Sequence, residues 1–147
     1  MKIGIASDHG GFELKQLLKE RLSKLDFTII DFGNDTYDSE DDYPDYVIPL
    51  AKSVASGEVE RGIAVCGSGV GASIAANKIT GVRAALINDH FAAHQGVEDD
   101  NMNILCLGGR TTDVETSMEL SLAFLNAKFS FAERHVRRLK KADPSGM

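Results

Sequence analysis

Short apolar runs alternate with longer amphipathic stretches along the chain, and this alternation is typical of consecutive βαβ units. Because strands joined by helical crossovers pair in parallel, the pattern predicts a parallel sheet. Five runs are predicted strands: Lys2–Ser7, Thr28–Phe32, Gly62–Cys66, Val82–Asn88 and Asn103–Leu107.

The stretches between these runs have helical spacing. Leu14, Leu18 and Leu22, for example, recur every four residues and predict a helix between the first two strands. Further helices are predicted from Pro44 to near Gly57, over Ala72–Lys78, over about Phe91–Gly96, over Val114–Asn126 and over the basic stretch Arg134–Lys141. The expected fold is one α/β domain over residues 1–147, a doubly wound five-stranded parallel sheet of Rossmann-like or flavodoxin-like type, with helices on both faces and a basic C-terminal helix.

Composition argues against several classes of protein. At 147 residues the chain has the length of one ordinary domain, and its net charge of -6 argues against nucleic acid as a partner of the whole surface. We find no apolar stretch of membrane-spanning length, no signal peptide pattern and no zinc-type cysteine cluster. We therefore expect a cytoplasmic protein with reduced thiols and no membrane partner.

A glycine-rich segment, Cys66–Gly71, joins the third predicted strand to the next predicted helix. Glycines at alternate positions let the backbone turn sharply, and the N–H groups of such a turn can bind an anion. The segment thus places a thiol beside a set of backbone donors. The alternative interpretation is a small buried cysteine that ends a core strand next to a structural turn.

The expected topology brings further polar residues to this thiol. With the common strand order 2-1-3-4-5, ligands bind beyond the carboxyl ends of strands 1 and 3, where the strand order reverses. The first strand ends in Ser7-Asp8-His9 and the third ends in Cys66-Gly67-Ser68. We therefore expect Asp8, His9, Cys66 and Ser68 to lie in one crevice.

A thiolate in that crevice has two chemical uses, as a nucleophile or as a base. A nucleophile needs an oriented histidine, which Asp8-His9 supplies only if neighbouring side chains point the same way. Isomerisation at a carbon acid needs a base and N–H donors where the enediolate oxygen develops charge. The glycine segment after Cys66 suits isomerisation better.

Two charged regions lie outside the crevice motifs. Arg134 and Arg138 are four residues apart, so they share one helical face and suit a phosphate, although a solvated terminal helix is the alternative. Arg110, directly after the fifth strand, is the better phosphate candidate on topology. The acidic stretch 31–45 does not match the calcium-loop spacing, and we expect a solvated loop rather than a metal site.

Six segments together resemble the ribose-5-phosphate isomerase B family, which includes allose- and galactose-phosphate isomerases. They are Ser7–Phe12, Asp42–Pro44, Cys66–Gly71, Ile74–Lys78, Gly81–Ala84 and Leu107–Arg110. The resemblance implies a doubly wound fold and aldose–ketose isomerisation of a phosphorylated sugar through an enediolate, with no metal and no cofactor. It also implies a homodimer with active sites shared between subunits; a tetramer is the alternative.

By position in these motifs, Cys66 is similar to the family's base that moves a proton between C1 and C2, and Ser68 to its hydroxyl beside the enediolate. The resemblance implies three further groups of residues. They are Gly67, Gly69, Val70 and Gly71 for the anion hole, Asp8, His9 and Tyr43 for the sugar and its ring opening, and His9, Arg110, Arg134 and Arg138 for the phosphate.

One departure from the family concerns ring opening. Many members have His-Asn-Asp before the last strand, whereas this chain has Asp99-Asp100-Asn101. Asp99 aligns with the histidine, so either Asp99 takes over as acid/base or His90 or His94 reaches in, with Asp100 among the expected substrate-binding residues. The departure bears on the substrate more than on the reaction type.

The leading hypothesis is therefore an isomerase that converts ribose 5-phosphate to ribulose 5-phosphate. Allose 6-phosphate or galactose 6-phosphate is the alternative substrate. A sugar-phosphate-binding module without turnover is disfavoured, because the four polar groups of the crevice are all present. A flavodoxin-like redox protein is disfavoured because the first strand is not followed by G-x-G-x-x-G and the chain has no Trp.

Overall fold

The computed structural model describes residues 1–143, so the last four residues of the predicted domain lie outside the described part. Five strands form one parallel sheet in the order β2-β1-β3-β5-β4. The strands are β1 (Lys2–Ser7), β2 (Thr28–Asp31), β3 (Arg61–Cys66), β4 (Ala84–Leu86) and β5 (Ile104–Gly108). The predicted parallel α/β fold is confirmed.

Residues 1–143 also form six α-helices and one short 3-10 helix, His9–Gly11; α5 and α6 follow the last strand. The α-helices are α1 (Phe12–Ser23), α2 (Pro44–Ser56), α3 (Val70–Ala76), α4 (His90–Asp100), α5 (Val114–Asn126) and α6 (Glu133–Ala142). Side chains of α1, α4 and α5 pack against one face of the sheet, and those of α2 and α3 pack against the other. The sheet is therefore covered on both faces, as a parallel sheet requires.

Local sequence explains where these helices begin and end. Helix α2 has Pro44 in its first turn, where a missing N–H costs nothing, and stops at Gly57, whose φ of 80° favours glycine. Asp113 caps α5 by accepting a hydrogen bond from the N–H of Thr116. Helix α6 buries His135 and Leu139 and leaves its arginines exposed.

The predicted strand order was wrong for the last two strands, because β5 lies between β3 and β4. All five residues of β5 are buried, whereas the three residues of β4 are only partly buried. A central position covers both faces of an apolar strand, so the more apolar of the two strands occupies it. The crevice between β1 and β3 is unaffected, since α1 and α3 leave these two strands toward opposite faces of the sheet.

Two element boundaries also differ from the sequence prediction and matter for the site. Helix α3 begins at Val70 instead of Ala72, so the last residues of the glycine segment form its first turn. Helix α4 continues to Asp100 instead of ending near Gly96. Asp99 and Asp100 are therefore helical residues.

None of the helices within residues 1–143 combines the length and the apolar character that a membrane-spanning helix needs.

Candidate active site

The carboxyl ends of the three central strands meet at one edge of the sheet. Ser7 of β1 pairs with Val65 of β3, and Cys66 pairs with Gly108 of β5. Two backbone hydrogen bonds extend this pairing beyond the strands. The N–H of Gly109 donates to the carbonyl of Cys66 at 2.8 Å, and the N–H of Arg110 donates to the carbonyl of Gly67 at 3.0 Å. The loops after β1, β3 and β5 therefore form one continuous site.

Asp8 is the first polar side chain beyond β1. It caps the 3-10 helix by accepting a hydrogen bond from the N–H of Gly10 at 2.9 Å, and only 6% of the residue is exposed. Burial raises the pKa of its carboxyl group, and the nearby His9 charge opposes this change. Asp8 is therefore held in one orientation at the mouth of the crevice.

His9 contacts a carboxylate that we did not identify from the sequence. Its Nδ1 atom lies 2.7 Å from Oδ1 of Asp41, and its backbone N–H donates to the same oxygen at 2.9 Å. The hydrogen bond to Asp41 raises the pKa of the His9 imidazole; the Asp8 carboxylate acts in the same direction, while burial and Arg110 oppose it. The negative charges of Asp41 and Asp8 both favour the imidazolium form of His9.

Two acids of the stretch 31–45 are not part of a solvated loop, contrary to our expectation for that stretch. The Asp41 side chain is only 4% exposed, and the Asp31 side chain, which binds Lys15, is 11% exposed. Burial alone would raise the pKa of Asp41, but hydrogen bonds from the backbone and ring of His9 outweigh it and lower the pKa. Most of the other acids in the stretch, such as Asp35 and Asp38, are exposed as expected.

The thiol of Cys66 lies at the centre of the site and is nearly buried, with 5% of the residue exposed. The N–H of Gly69 donates a hydrogen bond to its sulfur at 3.2 Å. Gly69 has a φ of 83°, a conformation that glycine adopts without strain, and it turns its N–H back toward the sulfur. The loop thus provides a donor for negative charge on Cys66.

The second cysteine has different surroundings. Cys106 is a free thiol like Cys66, but it is fully buried within β5. Burial raises the pKa of the Cys106 thiol well above its usual range. Cys106 is therefore a packing residue.

The loop after Cys66 uses some of its donors internally. The hydroxyl of Ser68, an exposed residue, accepts a hydrogen bond from the N–H of Val70 at 3.3 Å. Of the four residues predicted for an anion hole, Gly69 therefore donates to the thiol and Val70 to Ser68. The other two, Gly67 and Gly71, lie on either side of these contacts.

Tyr43 and Arg110 flank the loop because Gly67 and Gly71 lack side chains. A Cβ atom on Gly71 would lie 2.7 Å from the Tyr43 ring, and one on Gly67 would lie 3.1 Å from Nη1 of Arg110. His9 and Arg110 both line a cleft of about 640 Å³. Five of the predicted residues or groups therefore lie together, namely Asp8, His9, Tyr43, Arg110 and the glycine segment Cys66–Gly71, which includes Ser68.

The remaining predicted residues lie near the amino ends of the strands, opposite the crevice. They are Asp99, Asp100, Arg134 and Arg138. Helix α4 starts beyond the carboxyl end of β4 and has 11 residues, so its last residues lie about 16 Å away, near the amino ends of the strands. Asp99 there accepts a hydrogen bond from Gln95 at 2.8 Å, and its other oxygen lies 3.2 Å from Nε2 of His135.

Helix α6 lies next to the end of α4. The N–H of Ser130, in the segment before α6, donates to the carbonyl of Glu98 in α4, and His135 of α6 contacts Asp99. Arg134 and Arg138 are therefore grouped with Asp99 and Asp100. Within one chain, the structure does not bring these four residues to Cys66.

His90 and His94, the alternative acid/base candidates, do not reach the crevice. Nδ1 of His90 lies 3.2 Å from a carboxylate oxygen of Glu119, and Nδ1 of His94 lies 3.1 Å from one of Glu98. Both imidazoles are therefore engaged on the surface formed by α4 and α5.

Asp8, His9 and Asp41 each have one possible ligand atom within 4.8 Å of those of the other two, a spacing that also suits a cation. Nδ1 of His9, however, is directed at Asp41 itself. Asp41 and its partner Asn34 are the two residues of this region that sequence reasoning missed. The single signal was the position of Asp41 just before the Asp42-Tyr43-Pro44 motif.

Comparison with known proteins shows the family to which the chain belongs. The family model described as Ribose/Galactose Isomerase matches residues 3–142. The chain is 38% identical over 140 residues to ribose-5-phosphate isomerase B of Escherichia coli K12, covering 95% of this chain and 92% of that protein.

Solved structures agree with this match. The structure of Clostridium thermocellum ribose-5-phosphate isomerase B has a TM-score of 0.93 and 41% identity, covering 98% of this chain and 96% of that one. The Mycoplasma genitalium enzyme with bound ribulose-5-phosphate has a TM-score of 0.91 and 39% identity, covering 96% and 93%. On its sequence and on its fold, the chain belongs to the ribose/galactose isomerase family.

Proposed function

We propose that this protein is an aldose–ketose isomerase that converts ribose 5-phosphate to ribulose 5-phosphate, with one isomerase domain spanning the chain. The observation that carries the proposal is the Cys66 thiol, which receives a backbone N–H and lies in the same crevice as Asp8 and His9. The similarity to the Mycoplasma genitalium enzyme, whose structure contains ribulose-5-phosphate, supports this substrate.

The proposed chemistry moves one proton between adjacent carbons. Asp8, His9 and Tyr43 bind the sugar and help to open its ring. The Cys66 thiolate then removes the proton from C2 of the open aldose, which leaves an enediolate. It returns a proton to C1 while the hydroxyl proton on O2 passes to O1, and the product is the ketose. Ser68 and the N–H groups of the glycine segment stabilise the oxygen that carries the developing charge.

The phosphate is assigned to His9 and Arg110 on one side and to Arg134 and Arg138 on the other. A protonated imidazole and guanidinium groups are strong donors to a phosphate dianion. Arg110 supports this assignment by its place above Gly67, at the edge of the cleft that His9 also lines.

The separation of these two groups supports a homodimer with shared active sites, in which Arg134 and Arg138 of one subunit complete the Cys66 site of the other. A two-fold axis makes such an exchange reciprocal, so one interface completes two sites. Val70 and Ile74 on α3, beside the glycine segment, are 49% and 55% exposed, and a second subunit would bury them. Pairing of two such dimers into a tetramer is compatible with this arrangement.

We assign Asp99, together with its neighbour His135, to acid/base assistance of ring opening in the partner's site, and Asp100 to substrate contact there. The contact of 3.2 Å between Nε2 of His135 and Oδ1 of Asp99 supports this, because it places an imidazole, a side chain that can take up and release protons, beside the carboxylate. The proposed location is the cytoplasm, which the two free thiols support.

The test is a comparison of kcat/KM for ribose 5-phosphate, allose 6-phosphate and galactose 6-phosphate, using protein treated with EDTA. We expect ribose 5-phosphate to be preferred and EDTA to have no effect. Preference for a hexose phosphate would replace the substrate but keep the reaction. Absence of turnover with all three would overturn the proposal in favour of a binding module.

A further inference from the structure

We propose that Asp41 is a positioning residue for His9, whose backbone and ring it holds in one orientation with Nε2 available to the substrate. The inference deepens the proposed function and rests on it, because His9 acts there on the sugar and its phosphate. Asp41 itself is not among the residues that line the cleft shared by His9 and Arg110.

Asp41 binds both the backbone and the ring of His9. A single carboxylate oxygen, Oδ1, accepts both the backbone N–H of His9 at 2.9 Å and the ring Nδ1–H at 2.7 Å. These two bonds fix the main chain and the imidazole of the same residue. Since Nδ1 is occupied, Nε2 is the nitrogen through which His9 can reach a ligand, and the side chain is 25% exposed.

Asp41 is itself held in place. Its other oxygen, Oδ2, accepts a hydrogen bond from Nδ2 of Asn34 at 2.6 Å, and Asn34 is only 4% exposed. The backbone of Asn34 is fixed in turn: its N–H donates to the carbonyl of Ser7 and its carbonyl accepts from Nζ of the buried Lys15. Asp41 is therefore tied to the end of β1, the strand that carries Asp8 and His9.

Charged groups surround His9. The ionisable groups around His9 are Asp8 and Asp41, which favour its protonated form, and Arg110, which opposes it. Glu13 and Tyr37 line the same cleft, and Cys66 ends the adjacent strand. Among these groups, Asp41 makes the direct hydrogen bond to the ring. Removing its charge should therefore lower the pKa of His9.

A need for protonated His9 predicts how kcat/KM changes with pH. Donation of a proton to the ring oxygen and binding of a phosphate dianion both need imidazolium, so kcat/KM should fall as the pH rises through the pKa of His9. Asp41→Asn keeps the shape of the side chain but removes its charge. We expect this variant to lose activity about 10- to 100-fold at neutral pH, on the scale of one charged hydrogen bond, and its basic limb to move to lower pH.

The matched control is Asp35→Asn, which removes one charge from an exposed position of the same loop. It should change neither the activity at neutral pH nor the pH of the basic limb. Asp41→Glu restores the charge and should return the basic limb toward its original pH. In a His9→Asn background, Asp41→Asn should have no further effect, because Asp41 acts through His9. A full additional loss in that background would indicate a merely structural role and would overturn the inference.

A measurement without turnover separates this inference from the proposed function. The His9 ring can be titrated by NMR in the unaltered protein and in Asp41→Asn, with His9→Asn identifying its signals. We expect the Nδ1–H tautomer at high pH and a lower pKa in Asp41→Asn. The Nε2–H tautomer, or an unchanged pKa, would overturn the role of Asp41 even if the protein isomerises ribose 5-phosphate.

Discussion

The backbone N–H of Gly69 donates a hydrogen bond to Sγ of Cys66 across 3.2 Å. The loop turns away from β3 after Cys66, yet this N–H group points back at the Cys66 side chain. This donor stabilises negative charge on the sulfur, as a base in proton transfer requires. We therefore expect Cys66→Ala to lower kcat at least about 100-fold with little change in KM.

Cys106→Ala is the matched control for that variant, because Cys106 is a fully buried cysteine in the neighbouring strand and should affect stability without affecting kcat. Steady-state kinetics on both variants, with circular dichroism to verify folding, decide the matter. Full activity of Cys66→Ala would assign the proton transfer to another residue.

The two arginines four residues apart on α6 should affect substrate binding instead. Arg138→Ala would remove the proposed charged contact to the phosphate, so we expect KM to rise about 10- to 100-fold while kcat changes little. Arg137 is the matched control, since it lies on a different face of α6, where it borders a shallow groove with Lys140 and Lys141. An equal effect of Arg137→Ala would show that the whole basic helix acts through its general charge.

Shared active sites predict complementation between inactive variants. Cys66→Ala impairs one part of the site and the Arg134→Ala, Arg138→Ala double variant the other. A mixed dimer of the two therefore contains one intact site. After unfolding and refolding of an equal mixture, we expect about a quarter of the original activity at low substrate concentration, because half of the dimers are mixed and each has one of two sites intact.

The control for complementation pairs Cys66→Ala with Asp8→Asn, whose altered residues lie in the same group. Every site of that mixed dimer carries one of the two changes, so the refolded mixture should stay inactive. Activity in the control mixture, or none in the first mixture, would contradict sites shared between subunits.

The sequence predicted the fold class and the crevice because both depend on local patterns. Apolar runs separated by helical stretches require parallel strands, and the first and third strands end in the motifs that contain Asp8 and Cys66. The order of the last two strands was not predictable in the same way. Helical connections of similar length permit either order, and the deciding factor was the complete burial of β5 against the partial burial of β4.

Asp41 could not be found from the sequence because its burial depends on a distant backbone pairing. The N–H of Ser7 donates to the carbonyl of Gly33, and the N–H of Asn34 donates to the carbonyl of Ser7. These bonds fold the acidic loop back over the end of β1 and place Asp41 on His9. A run of acids is usually solvated, and composition does not reveal which acid of the run is buried.

The same loop depends on a buried lysine, which gives a prediction about stability. Nζ of Lys15, whose side chain is fully buried, donates to both carboxylate oxygens of Asp31 at 2.9 Å and to the carbonyl of Asn34. Lys15→Met should lower the free energy of unfolding by about 3 to 5 kcal/mol, because it leaves a nearly buried carboxylate short of its main partner.

Lys19→Met is the matched control for Lys15→Met. Lys19 binds the same carboxylate at 3.0 Å, but its side chain is 42% exposed, so its loss should cost less than about 1 kcal/mol. Urea denaturation of both variants compares the two values directly. Equal losses would mean that burial of Lys15 does not determine its contribution.

Acid should remove the stabilisation that Asp31 provides. Burial alone would raise the pKa of Asp31, but hydrogen bonds from Lys15, from the N–H of Gly33 and from Lys19 outweigh it and lower the pKa. A carboxyl whose pKa is lower in the folded protein than in the unfolded chain contributes stability above its unfolded pKa, near 4, and loses it as the pH falls through the folded value. The free energy of unfolding should therefore decline below about pH 4.

Asp31→Asn should be less stable at neutral pH and should show a weaker decline in that acid range, because it has no carboxyl to protonate at this position. The exposed Asp26 provides the control, since Asp26→Asn should keep the decline of the unaltered protein. Urea denaturation of the three proteins at several pH values between 2.5 and 7 gives the slopes, spanning the range in which carboxyl groups titrate, from about 2 to 5. An unchanged slope in Asp31→Asn would mean that other carboxylates control the acid response.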